Sequence, residues 1–591
     1  MCGICGELNF RGDPDAAAVG RMTARLARRG PDAEGFWQQG PIALGHRRLA
    51  IIDLSSRAAQ PMVDAELGVS LVFNGTIYNY RELRAELIGL GYRFFSDGDT
   101  EVILKAWHAW GEAALTRLTG MFAFALWDTQ RQGLLLVRDR IGIKPLYFSP
   151  TRDRFRFASS LPALLAGGEI DRTLDPVALH HQFTLHGSVP APHTILRGVR
   201  KLPPAHALWI AADGGERQWR YWSFPEVASY PQLSEQEWLD AVRAGLIEAV
   251  HKRQVVADVP VGVLLSGGLD SSLLVALSAQ DAGHDLHTFS IGFEDTPEEA
   301  GSEFLYSDRV AHHFGTRHHK LTIANSDALA RLPQAVAEMS EPMASQDNIG
   351  FFLLGEEVRR HVKVVQSGQG ADEIFGGYFW YPQMQAAMGS DLERIAPRYF
   401  DRSHAALARL LTPSFVSRDF TGERMASELA ASGGGEFLDR LFRVDVGMLM
   451  VDDPVKRIDN MMMAWGIEAR VPFLDHELVA LALSMPAELK LREGGKWPLK
   501  VIARTLLPHA VIDRPKGYFP VPALKFVRGP FLAFMRDILD SDACRARGLY
   551  NREALARVFA DPAAFTTPLQ GNTLWHLALL ELWLQLVVDP V

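Results

Sequence analysis

The pattern of apolar residues changes once along this chain, and that change constrains the fold more than any single motif. Up to about residue 205, short apolar runs alternate with Gly, Asn and Asp turns, as in SLVFNGTIYNY (70–80), GMFAFALWD (120–128) and GLLLVRDRIGIKPLYF (133–148). Segments of this kind, bounded by turn formers, read as mostly antiparallel strands with some helices. From Glu235 an amphipathic helix runs to about Arg253, and then come VPVGVLL (259–265), LHTFSIGF (286–293) and VKVVQSG (362–368), each followed by a turn or a helical segment. Strands that alternate with helices predict a parallel, doubly wound sheet. Past Tyr378 the pattern is largely helical, with a polar SGGG break at 432–435. The Pro- and Gly-marked stretch 202–230 has no long helical period and reads as a connecting hairpin and linker. The expectation is an α+β domain over 1–205, a linker over 206–234 and an α/β domain with a helical C-terminal part over 235–591.

Composition narrows the function classes. A chain of 591 residues supports several cores. Its formal net charge is −9 with acids and bases interleaved, so no basic field exists for a nucleic acid. The longest apolar runs fall short of the ~18 residues that a membrane span needs. MCGICGELNF lacks the charged and apolar regions of a secretory signal, so a cytoplasmic location is expected. Three cysteines, Cys2, Cys5 and Cys544, are too few for a disulfide framework and fit a reducing compartment.

Removal of Met1 would leave the Cys2 thiol beside a free α-amine. An amine of this type titrates near ~8 and can serve as an intramolecular base for the thiol. Cys2 alone is weak evidence, since most cysteines are small buried hydrophobes, and Cys2 and Cys5 have no second pair for zinc. MCGICG at 1–6 is followed by RRGPD (28–32), GHRRLAIIDL (45–54), FNGTIYNY (73–80) and GDTE (98–101). Together these five segments resemble the class II glutamine amidotransferase domain. That resemblance implies an N-terminal-nucleophile, layered αββα sandwich in which Cys2 attacks the glutamine carboxamide. It also implies that the Asn74 side chain and the Gly75 N–H stabilise the oxyanion, at roughly 3 kcal/mol each. Arg48 would hold the substrate carboxylate and Asp99 its ammonium. Where that family often has Glu after the Asn-Gly pair, this chain has Thr76.

In the second half, SGGLDSS (266–272) follows an apolar strand and opens a helix. A Gly-rich turn there offers unpaired N–H groups and a positive dipole end to phosphate. It lacks the Walker A lysine and is not GxGxxG. The string resembles the PP-loop of ATP pyrophosphatases, which implies ATP contacts from Leu264, Ser266, Gly267 and Gly268. The next four positions, Leu269, Asp270, Ser271 and Ser272, belong to the same loop. TFSIGF (288–293), SGQGADEIFGGY (367–378), EARVPFLD (468–475) and RPKGYFPVP (514–522) extend the resemblance to the asparagine synthetase family over nearly the whole chain. By it, Ile291, Ser367, Gly368 and Lys496 also contact ATP, Asp270 and Asp372 hold Mg²⁺, and Lys516 offsets charge on phosphate and intermediate. A homodimer is a further family-level expectation.

The position between the two glycines of the SGxGxDE string is commonly acidic in that family and is thought to help deprotonate ammonia. Here it is Gln369, whose carboxamide cannot take a proton at neutral pH. The segments 341–354, 362–382, 458–479 and 512–530 resemble most closely the N-acetylglutaminylglutamine amidotransferases, which implies a blocked dipeptide acceptor; aspartate is the alternative. The Tyr378-Phe379-Trp380-Tyr381 cluster and the Met461-Met462-Met463-Ala464-Trp465 run are compatible with an apolar acceptor wall, although core packing explains either more readily. A glutamine- or nucleotide-sensing scaffold without turnover is the alternative from another class. The histidine pairs 180–181, 312–313 and 318–319 point apart on any regular element and suggest no metal site.

Overall fold

The computed structural model describes residues 2–225, 233–514 and 521–590. The first 220 residues build two six-stranded sheets packed face to face. One contains Gly3–Asn9 at its centre, flanked by Ile42–Arg48 and Arg154–Ala158, all antiparallel. The other contains Val69–Ile77, Gly120–Asp128 and Gly133–Arg138, also antiparallel. Alternate residues from both sheets, among them Ile4, Leu44, Val72, Ala125 and Leu136, interdigitate between the layers and are fully buried. Period-two patterning requires this, because successive side chains leave opposite faces of a strand. The opposite faces are covered by helices, including Ala16–Arg25 on the first sheet and Thr100–Trp110 on the second.

The stretch expected as linker is in large part sheet. His206–Ala211 pairs with Gly133–Arg138, and Glu216–Arg220 pairs with His206–Ala211. The expected boundary at 205 therefore falls too early: HALWIA buries Ala207, Leu208 and Ile210 and thereby extends the sheet instead of leaving it.

From Val261 onward five strands form one wholly parallel sheet. Its order is Arg317–Ile323, His287–Phe293, Val261–Leu264, Val364–Gln366, Glu468–Arg470. The order reverses beside Val261–Leu264, which makes the carboxyl end of that strand the topological switch point where α/β sheets bind ligands. The helix Glu235–Val255 begins with a capping box between Ser234 and Glu237. The remainder of the chain is helical, and Asp445–Leu449 and Val451–Val455 are widened to π-helical turns.

The two halves meet through buried charge. Asp459 accepts from Arg29 at 3.0 Å and from Lys144 at 3.1 Å, and all three side chains are almost sealed from solvent. Lys144 is aimed there by a turn wound on Asp139, whose carboxylate accepts from the backbone N–H groups of Phe122, Ile141, Ile143 and Lys144. Burial works against ionisation of Asp459, yet its two cationic partners hold its pKa below the usual value. Removing one member of such a group leaves buried charge uncompensated, at a cost of about 3–5 kcal/mol. Asp459→Ala is therefore expected to lower stability by about that amount in urea unfolding, whereas Asp153→Ala, at an exposed pair with Arg11, should change it by less than about 1 kcal/mol.

Candidate active sites

Cys2 is buried at the start of the central strand of the first sheet, and its N–H donates to Asn74 Oδ1 at 3.0 Å. That bond orients the Asn74 amide. Its Nδ2 is fully buried and, among the described residues, has no hydrogen-bond partner. An unpaired buried donor of this kind is costly unless something else satisfies it, and a developing oxyanion would do so. Gly75 follows in the same strand. A Cβ there would lie 2.2 Å from the Met121 carbonyl oxygen and 2.7 Å from Phe122 Cα, so only glycine allows the neighbouring strand to approach. Burial raises the Cys2 thiol pKa, and Arg48 is among the groups that oppose the rise.

The two expected substrate-recognition residues flank this point. Arg48 ends the strand Ile42–Arg48 and donates to the backbone carbonyls of Ser55 and Asp53. Asp99 is buried, accepts from the Ile77 N–H at 3.0 Å, and is pushed up to about 6 by burial. Arg48 is felt by the Cys2 thiol and Asp99 feels the charge of the chain's N-terminus, and a cation and an anion so placed suit an α-amino acid. Behind them stands a residue of the other domain, Glu468, which accepts from the Thr76 hydroxyl at 3.2 Å and pairs with Arg470 at 2.6 Å. Burial opposes its ionisation, but Arg470 holds it down at about 2. Glu468 was legible only as part of a motif; its contact with Thr76 spans 392 positions of sequence.

The second site is a cavity of about 540 Å³ at the switch point of the parallel sheet. Leu264, Ser266, Gly268, Leu269, Asp270 and Ser271 form one wall, and Ile291, Ser367, Gly368, Asp372 and Lys496 face it. The loop is closed on itself: Gly268 N–H donates to Ser266 Oγ at 3.3 Å, and the Ser266 and Ser271 hydroxyls bond at 3.0 Å. The helix Leu269–Ala282 starts there, with Gly268 as its N-cap. Two expected residues do not line the cavity. Gly267, at φ +75°, turns against the next helix, where a Cβ would lie 2.5 Å from the Ser307 nitrogen. Ser272 points into the core and is fully buried. Lys516 lies outside the described residues.

Lys496 Nζ sits 2.6 Å from Asp270 and 2.8 Å from Asp372. Burial works against its charge, but the two carboxylates reverse this and raise its pKa. Sequence reading missed the far end of the cavity, where His186, Asp347, Asp453 and Arg457 meet Gln369 and Tyr378. Asp453 and Arg457 are presented from the widened helical turns and the helix that follows. Tyr378 stacks on Trp380 at 4.2 Å, and both line the cavity with Phe379. Tyr381 instead turns inward to bond Asp445, and Met461, Met462 and Met463 are fully buried core, so the methionine run supplies no acceptor wall.

Comparison with known proteins divides the chain into the same two parts. The glutamine amidotransferase domain profile matches residues 1–222 and the asparagine synthase profile matches residues 241–585. Glutamine-hydrolyzing asparagine synthetase 3 of Bacillus subtilis is 31% identical, covering 88% of this chain and 87% of that protein. Glutamine-hydrolyzing asparagine synthetase 1 of the same organism is 30% identical over 99% of this chain and 96% of its own length. Glutamine-hydrolyzing asparagine synthetase 2 of Arabidopsis thaliana is 30% identical over 88% of this chain and 76% of its own. The chain belongs to the asparagine synthase family, as an ATP-dependent amide-forming ligase that carries its own glutamine amidotransferase domain. Among the described residues no helix is long and apolar enough to cross a membrane.

Two outcomes are expected. Asn74→Ala should lower kcat for glutamate release from glutamine by about 10²–10³-fold, the usual effect of removing one oxyanion donor. Because Asp99 must be ionised to pair with an ammonium and titrates at about 6 in the free protein, KM for glutamine should rise as pH falls below that value. Asp99→Asn should raise KM and flatten this dependence.

Proposed function

We propose that this enzyme adenylates the carboxylate of N-acetylglutaminylglutamine and amidates it with ammonia released from glutamine, giving the dipeptide amide, AMP and pyrophosphate. The observation that carries this reading is the cavity itself. Besides the phosphate-binding loop, its lining includes the stacked Tyr378 and Trp380, Phe351, Leu354 and the uncharged Gln369, while the charges there, Asp347, Asp453 and Arg457, pair with one another. A blocked dipeptide has amide edges and no free ammonium, and it suits such a wall better than a small doubly charged amino acid does. The sequence resemblance of 341–354, 362–382, 458–479 and 512–530 supports the same acceptor. The relatives named as asparagine synthetases support aspartate as the second reading.

In this reading the Cys2 thiol attacks the glutamine carboxamide, with the α-amine freed by Met1 removal taking its proton. Asn74 Nδ2 and the Gly75 N–H receive the oxyanion, Arg48 holds the α-carboxylate and Asp99 the ammonium. In the synthetase cavity the backbone of 266–271 cradles pyrophosphate at the helix N-terminus. Asp270 and Asp372 are hard oxygen donors converging on a point that already favours a cation, Lys496 Nζ. They fit Mg²⁺, which when bound would neutralise phosphate charge. Lys496 and Lys516 would offset the remainder.

The two sites share one structural element. Glu468, beside Thr76, begins the strand Glu468–Arg470, and the Arg470 carbonyl accepts from the Ser367 N–H at the synthetase cavity. In this reading ammonia crosses between the halves near this strand pair, where the buried apolar cluster of Leu49, Ile51, Val364 and Met463 would leave it unprotonated.

The test is pyrophosphate release by purified enzyme with ATP, Mg²⁺ and glutamine, with each acceptor in turn and products identified by mass. Turnover with the dipeptide and not with aspartate is expected. Turnover with aspartate alone would assign it as an asparagine synthetase, and nucleotide binding without turnover would favour a sensor. Cys2→Ala should abolish synthesis from glutamine while ammonium salts still support it.

A further inference from the structure

Gln369 leaves the amidation step without its usual acid-base group, and the cavity supplies another. His186 follows the helix Pro176–Thr184 in the glutaminase half, yet its ring lines the synthetase cavity together with Gln369 and Tyr378. Its backbone is held at φ +52°, a left-handed conformation that a non-glycine residue adopts at an energetic cost. Nδ1 lies 3.0 Å from Asp401 Oδ2 and 3.3 Å from Oδ1. The Asp401 side chain is completely buried. A buried carboxylate on Nδ1 fixes the tautomer with the proton on that atom and leaves the Nε2 lone pair outward. Among the described residues Nε2 has no protein partner.

The surroundings support a proton-accepting ring rather than a packed one. His576 packs edge-on against the His186 ring at 5.1 Å, with its Nδ1 3.4 Å from the same Asp401 oxygen, and burial lowers its pKa to about 3, so it stays neutral. Gly571 seals both rings: a Cβ there would lie 2.6 Å from His576 Nε2 and 2.9 Å from His186 Cε1. Asp453 and Arg457 face His186 with opposite charges and are paired with each other at 3.3 Å. Burial lowers the affinity of His186 for a proton, but Asp401 and then Asp453 outweigh it, and its pKa is raised.

We propose that His186, positioned by Asp401, accepts the proton released when ammonia adds to the acyl-adenylate. This rests on the adenylation reading above. The nitrogen lone pair forms the C–N bond while the carbonyl π pair moves to oxygen. His186 Nε2 takes one proton from the resulting ammonium centre. The C–O bond to AMP then breaks with its electron pair leaving on phosphate, and the imidazolium returns its proton to water.

The experiment is His186→Asn, which can still donate to Asp401, assayed with whichever of the two acceptors the wild type uses and with ammonium salt as nitrogen source. Acceptor-dependent ATP–pyrophosphate exchange should persist within several-fold, and amide formation should fall by about 10²–10⁴-fold, the range of general acid–base catalysis. AMP should then exceed amide as stranded adenylate hydrolyses, and the wild-type acidic limb of the amidation pH profile should disappear. Adding Gln369→Glu to His186→Asn should recover much of the amide formation. Glutamate release at Cys2 reports that each variant is folded. An unchanged amide-to-AMP ratio, or equal loss of exchange and amidation, would overturn the proposal. A wild type that exchanges pyrophosphate with neither acceptor would instead sink the adenylation reading, and this proposal with it.

Discussion

Everything else in the molecule depends on the charged seam between the halves. Asp459 belongs to the helix Lys456–Met463, just before the last strand of the parallel sheet, yet its partners Arg29 and Lys144 come from two separate turns of the β-sandwich. Arg29 also contacts the Cys2 carbonyl at 3.4 Å, so the same guanidinium touches the nucleophile's backbone and the other domain's anchor. Few geometries satisfy all three charges once water is excluded, and desolvated ions tolerate misalignment poorly. The seam therefore fixes orientation more than it adds net stability.

That fixed orientation brings a strand of the second half against the first. Thr76 sits directly after Asn74-Gly75, and its hydroxyl reaches Glu468. Glu468 in turn stands on a strand whose other end supports Ser367. A charge held at about 2 by Arg470 stays ionised throughout the working pH range, so this contact acts as a constant positioning bond and not as a switch. The resemblance to class II amidotransferases marked Thr76 only as a departure; the tertiary structure gives it a partner.

The far end of the synthetase cavity illustrates the same dependence. His186 was invisible as a functional residue in sequence because it lies within a short mixed stretch, FTLHGSV (183–189), of the glutaminase half that carries no motif. Its partners Asp401 and His576 come from helical regions more than 200 and nearly 400 positions later. The methionine run shows the converse. Met461–Met463 had the composition of an adaptable binding surface, but three consecutive residues on a helix face three directions, and packing on all sides placed each in the core. The strand His206–Ala211 was misread for a similar reason: flanking Pro and Gly residues signalled a linker, whereas the strand is paired on both sides, with Gly133–Arg138 and with Glu216–Arg220.

The sequence by itself determined the local geometry of both candidate sites. The strand start at Cys2, the Asn74-Gly75 pair in its strand and the loop 266–271 at a helix start were all legible, because turns and helix starts depend on a few adjacent residues. Only the tertiary structure decided which of these groups share a cavity, that Gly267 and Ser272 face away from it, and that Glu468, Lys144 and His186 cross from one half to serve the other. The physical reason is that burial and pairing of charge are set by contacts hundreds of positions apart, and no local pattern encodes their approach.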